Sequence, residues 1–96
     1  MRAADALGLM LGALRGHRSR SLMLLLAMAI GVVHGCDGCI ASHSRAAVKA
    51  GASKEECADM LGVTILMGGG PATIWAPRAY AAFCEFHDAA QAEPTA

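Results

Sequence analysis

The sequence predicts an all-α fold of about five helices in a single domain, compact and oligomeric, on three observations. Apolar residues recur at three- and four-residue spacing along much of the chain. No period-two run is long enough for a strand. The composition, 55% hydrophobic and 17% charged over 96 residues, is more apolar than a small soluble monomer can bury by itself. The excess has to be covered by further chains or by a membrane.

The helices follow in order. Residues 3–14 set Leu7, Met10, Leu11 and Leu14 on one face, and Gly16 among Arg15, His17, Arg18 and Arg20 supplies a stop. Ser21 then caps a second helix to about residue 33. It is apolar on nearly every face, which predicts burial on all sides at the centre of the molecule. A third helix covers residues 36–49 and closes at Gly51. Ser53-Lys54-Glu55-Glu56 is a capping box, in which Glu56 reaches back to the cap amide and opens a fourth helix. Its predicted inner residues are Cys57, Met60, Leu61, Thr64, Ile65 and Met67.

Gly68-Gly69-Gly70-Pro71 ends that helix. The stretch lacks both the Lys-Ser/Thr of a phosphate-binding loop and the spacing of a dinucleotide site, so it reads as a turn. Pro71 suits the first turn of a last helix, with Ile74, Tyr80, Phe83, Cys84 and His87 inward and a kink at Pro77. Residues 91–96 are expected to be a frayed tail.

A net charge of zero builds no positive field, so nucleic acid is excluded as a partner. Cys57 and Cys84 lie within apolar helical patterns rather than in the loops of a disulfide scaffold, which points to a reducing, cytoplasmic compartment. The run from Leu22 to Val33, preceded by arginines and followed by His34-Gly35-Cys36, has the outline of a lipoprotein signal. It is too short to span a bilayer, and the cysteine pattern continues into another helix. The reading is therefore a core helix, with no membrane partner.

The chemistry concentrates in HGCDGCIASH, residues 34–43. Offsets of three and four put Cys36, Cys39 and His43 on one helical face, with Cys36 at its start. Free amides and the positive end of the helix dipole stabilise an anion there, so a cysteine gains thiolate character. The spacing lets two sulfurs meet, and His43 is one turn from Cys39, where an imidazole can take up or relay the thiol proton. Zinc is the rival: Cys36, Cys39 and His43 with His34 would make a ligand set, but there is no second CxxC or HxxxH. The weighing favours redox chemistry without a metal or cofactor. Cys57 and Cys84 read as packed thiols, and His87 as partly buried. Met10, Met23, Met28, Met60 and Met67 read as core filling, and Trp75 as an anchor for a subunit contact.

The stretch CDGCIASHSRAAVKAGASKEECADMLGVTILMGGGP resembles the core motif of the alkylhydroperoxidase D-like group in the carboxymuconolactone decarboxylase superfamily, over about residues 27–86. Its most specific part is CxxCxxxHxxxAxxxGA followed by SxxE. The resemblance implies a helical fold assembled as trimers or hexamers. It implies Cys39 as the attacking cysteine, Cys36 as the resolving one and His43 as part of a proton relay. The implied reaction is peroxide reduction or dithiol–disulfide exchange through a Cys36–Cys39 disulfide, drawing on a dithiol reductant. The motif also has a glutamate in the preceding helix, at the position of Leu24. With apolar neighbours around Leu24, the implied relay is incomplete and peroxidase activity is expected to be weak.

Overall fold

The computed structural model describes residues 2–92, except for the side chains at positions 9, 10 and 12–18. The elements are α1 (Ala3–His34), α2 (Asp37–Lys49), α3 (Lys54–Gly68) and α4 (Gly70–Ala92), and among the described residues there is no strand. The fold is all-α, as the periodicity predicts.

All five expected helical segments are present, but the first two are continuous. Helix α1 runs for 32 residues straight through Gly16 and Ser21. A single glycine in a helix interior costs only about 1 kcal/mol relative to alanine, and arginine is a good helix former, so Gly16 with no proline behind it is a weak stop. Ser21, expected as a cap, is buried inside α1. Leu7 and Leu11 are exposed, whereas Met10, Leu14 and the side chains of Arg15, His17 and Arg18 lie outside the described residues.

The core gathers Leu25, Met28 and Val32 from α1, Ile40 and Ala47 from α2, Cys57 and Leu61 from α3, and Ala76, Ala79 and Phe83 from α4. Helices α1 and α4 each touch all the others, while α2 and α3 do not meet. At 1.5 Å per residue α1 is about 48 Å long, which accounts for most of the 53 Å long axis of a molecule only 18 Å thick. A slab that thin cannot surround a helix. Thus α1 is buried along Ser21, Leu25, Met28 and Val32, one face only, while Leu22, Met23, Leu26, Ile30 and Val33 are exposed. The expectation of burial on all sides is corrected within the single chain.

The same correction applies on the last two helices. Cys57, Leu61 and Thr64 are buried and Met60 and Ile65 half-buried, but Met67 is exposed. On α4 the inner face is Ala72, Ala76, Ala79 and Phe83, whereas Ile74 and Tyr80 lie outside it. Small side chains let helix axes approach, so alanines take inner positions that a reading by bulk gives to larger residues. Met23, expected as core filling, is exposed; Met28 is fully buried. Helix α4 continues through Pro77 and through Gln91 and Ala92, two residues into the expected tail. The Ser53–Glu56 capping box is present in both directions. Gly51 closes the turn after α2 at φ 93°, and Gly69 separates α3 from α4 at φ 72°.

Candidate active site

The site is built where α1 hands over to α2. Gly35 caps α1 in the left-handed conformation, and the Cys36 amide bonds back to the Gly31 carbonyl at 2.9 Å. This six-to-one bond is the closure of a Schellman-type turn, which needs a residue that tolerates positive φ. Cys36 comes directly after it as the N-cap of α2, so no loop separates the two helices. Its Sγ accepts from the Cys39 amide at 3.1 Å. A sulfur in that position satisfies an otherwise orphan amide and sits at the positive end of the helix dipole.

Cys36 and Cys39 are joined in a disulfide, with their Cα atoms 5.2 Å apart. That separation lies inside the range a disulfide spans without backbone movement. Both residues are half-buried, as is His43 one turn further along. Cys39, His43 and Ala46 form a half-buried stripe beside the buried stripe of Ile40, Ser44 and Ala47. Thus the two cysteines are brought together by bonding, and His43 shares the flank of Cys39 by helical register. His34 ends α1 exposed. Among the described residues no group of three or more His, Cys, Asp or Glu side chains is placed to hold a metal ion.

Helix α1 lies antiparallel to α2 beneath the site. A Cβ on Gly31 would meet Cys39 Cβ at 3.1 Å, and Ser44 Oγ donates to Met28 Sδ at 3.5 Å. In that register Leu24 falls one turn before the α1 position opposite His43. Leu24 is half-buried and packs against the core.

Three residues that the sequence does not single out for this site meet at the chain on either side of Cys36. Trp75 on α4 packs its indole edge on Gly35, with ring atoms 3.1 Å from where a Cβ would stand. Arg78, one turn on, stacks its guanidinium 4.5 Å from the Trp75 ring centroid and donates to Asp37 Oδ2 at 3.3 Å. Asp37 lies between the two cysteines. Within the chain, the half-buried tryptophan packs on the connection between α1 and α2.

The other two cysteines lie elsewhere, across the α3/α4 contact. Lys54 pairs with Asp88 at 2.7 Å, and in the antiparallel register Cys57 then faces Cys84. Both are free thiols. Burial, and next the neighbouring Cys84, push the Cys57 thiol up to about 12. The hydrogen bond with Cys84, then burial, hold the Tyr80 phenol above its ordinary value. The raised value keeps Cys57 protonated and opposes nucleophilic chemistry at its sulfur.

Residues 1–82 match the model of the carboxymuconolactone decarboxylase family. An uncharacterized protein of Cupriavidus necator is 41% identical over 59 residues, covering 62% of this chain and 52% of that protein. The chain thus spans about half the length of that curated relative. The crystal structure of a carboxymuconolactone decarboxylase family protein from Legionella pneumophila superposes with a TM-score of 0.67 at 35% identity, covering 88% of this chain and 82% of that one.

Proposed function

Because the chain belongs to the carboxymuconolactone decarboxylase family, we propose that it is a thiol–disulfide oxidoreductase of the alkylhydroperoxidase D-like kind, with Cys36, Cys39 and His43 as its working residues. The observation that carries this reading is the Cys36–Cys39 disulfide at the N-cap of α2. The oxidant is a peroxide or a disulfide. With a peroxide, the Cys39 thiolate attacks the outer oxygen, the O–O bond breaks, and an alcohol leaves with a proton while Cys39 becomes a sulfenic acid. The Cys36 sulfur then attacks Cys39, the S–S bond forms and water leaves. A donor dithiol returns the pair to two thiols by exchange and is itself oxidised to a disulfide. His43 takes the Cys39 proton and returns it to the leaving alkoxide in the first step, then carries the Cys36 proton to the departing hydroxide in the second.

Leu24, at the position the resemblance gives to the relay glutamate, favours disulfide exchange over fast peroxide turnover, because an aliphatic side chain offers His43 no carboxylate with which to share its proton. The reading places the protein in the cytoplasm as a homo-oligomer. Reduction should add the mass of two hydrogens per chain, and peptide mapping should place the lost bridge at Cys36–Cys39. Steady-state peroxide consumption with a dithiol donor should be weak, abolished by Cys39→Ser, and raised by Leu24→Glu, since acid–base assistance is worth about 10² to 10⁴ in rate. A dominant bridge at Cys57 or Cys84, or turnover indifferent to Cys39→Ser, would sink the assignment.

A further inference from the structure

We propose that Arg78 is a positioning residue for the thiol pair: held on Trp75, it neutralises the Asp37 carboxylate and thereby sets how readily Cys36 and Cys39 react. The inference rests on the dithiol reading above and goes beyond it to a residue of another helix.

Asp37 faces two opposed demands. As the first residue of α2 its carboxylate complements the helix dipole. It also follows Cys36 directly and precedes Cys39 by two residues in the same first turn, both sulfurs must carry negative charge during the cycle, and a nearby like charge disfavours a thiolate. A cation at Asp37 relieves the second demand without giving up the first. Arg78 supplies it, with its Nη2 3.3 Å from Asp37 Oδ2.

The guanidinium is held there by more than the ion pair. It stacks on Trp75 at 4.5 Å, and Trp75 in turn rests on Gly35. Helix α4 therefore grips the chain on both sides of Cys36, at residue 35 through the ring and at residue 37 through the charge. A planar guanidinium suits stacking and carboxylate pairing at once, which an ammonium does not.

Helix α2 packs only on α1 and α4, so the other charged or titratable groups that bear on the pair are few. Among the described residues, the nearest along the chain are His34 at the end of α1 and His43 and the exposed Arg45 on α2; Lys49 ends α2, and Tyr80, Cys84 and His87 lie further along α4. On α4, Glu85 and Asp88 lie further along the helix, and Asp88 is paired with Lys54.

The Arg78 and Asp37 side chains are 57% and 67% exposed, so their pairing is screened by water and salt and the expected effect is modest. The test is the rate of iodoacetamide alkylation of Cys36 and Cys39 in the reduced full chain, read by peptide mass at neutral pH and low salt. Arg78→Ala should slow it about two- to five-fold, and Asp37→Asn should speed it by a similar factor. The double variant should return close to wild type, Arg78→Lys should recover part of the loss, and the differences should shrink at high salt. A lost mechanical contact would move both single variants in the same direction. That result, or an unchanged rate in an Arg78→Ala protein whose circular dichroism is native, overturns the proposal. A wild-type pair that does not cycle between dithiol and disulfide overturns the functional reading itself, and the Arg78 proposal with it.

Discussion

Two cysteines on successive helices of the chain show how position sets the chemistry of one side chain. Cys36 half-caps α2 with an amide donating to its sulfur, whereas Cys57 is fully buried and its thiol is pushed up to about 12. In the reduced native protein, alkylation at neutral pH should therefore label Cys36 and Cys39 and leave Cys57 intact until the chain unfolds. A linked effect follows at alkaline pH. The raised value means the folded state keeps a proton that the unfolded chain gives up above about 9. That contribution to stability is complete below about 9 and is lost as pH climbs toward about 12, with a slope of at most about 1.4 kcal/mol per pH unit. Denaturant titrations at rising pH should show this decline, and Cys57→Ala should flatten it. Cys36, Cys39 and His43 were legible in sequence because a helix converts offsets of three and four into one face. Asp37, Trp75 and Arg78 were not, because Arg78 reaches Asp37 across 41 residues of chain and no local period links them.

The elements were legible wherever a boundary has its own chemistry. Ser53 and Glu56 bond each other's backbone amides, 2.8 Å for Ser53 N to Glu56 Oε1 and 3.1 Å for Glu56 N to Ser53 Oγ. Ser53→Ala should cost about 1 kcal/mol, read as a lower thermal midpoint with the disulfide left intact. The join of α1 and α2 depends in the same way on Gly35 at φ 64°. Gly35→Ala must hold a left-handed residue and also displace an indole that leaves its Cβ only 3.1 Å. The conformation alone costs about 1 to 2 kcal/mol, and unfolding in denaturant should shift by at least that much. By contrast, Gly16 has neither a proline nor a specific cap behind it, and α1 passes through it. The inner face of α4 was misread for a different reason. Ala72, Ala76 and Ala79 carry little hydropathic signal, and their burial comes from the partner helices rather than from their own sequence.

At the scale of the whole molecule, the apolar composition and the exposed surface lead to the same prediction. Leu22, Leu26 and Val33 of α1 with Met60, Val63 and Met67 of α3 line an apolar groove of about 640 Å³. Met67 in its lining and the adjoining Leu66 are 80% and 79% exposed. Monomers rarely leave contiguous apolar patches of more than a few hundred Å² in water, and among the described residues no helix is long and apolar enough to cross a membrane. A further copy of the chain is the expected cover, as a trimer or a hexamer, and light scattering at micromolar concentration should show it. If the groove is the contact, Met67→Glu should lower the mass, because a buried carboxylate without a partner is costly in the assembly and almost free in the separate chain. The thermal midpoint should then rise with concentration in wild type and lose that dependence in the variant, since assembly adds to stability by mass action. Helices α1 and α3 form this groove, and α1 also supplies Gly31 against Cys39 and ends in the Gly35 cap that precedes Cys36. Dissociation by Met67→Glu should therefore slow thiol cycling as well as lower the mass. A wild type that stays monomeric and well behaved, or a Met67→Glu protein that keeps the full assembly, would remove the groove as the place where the apolar excess is buried.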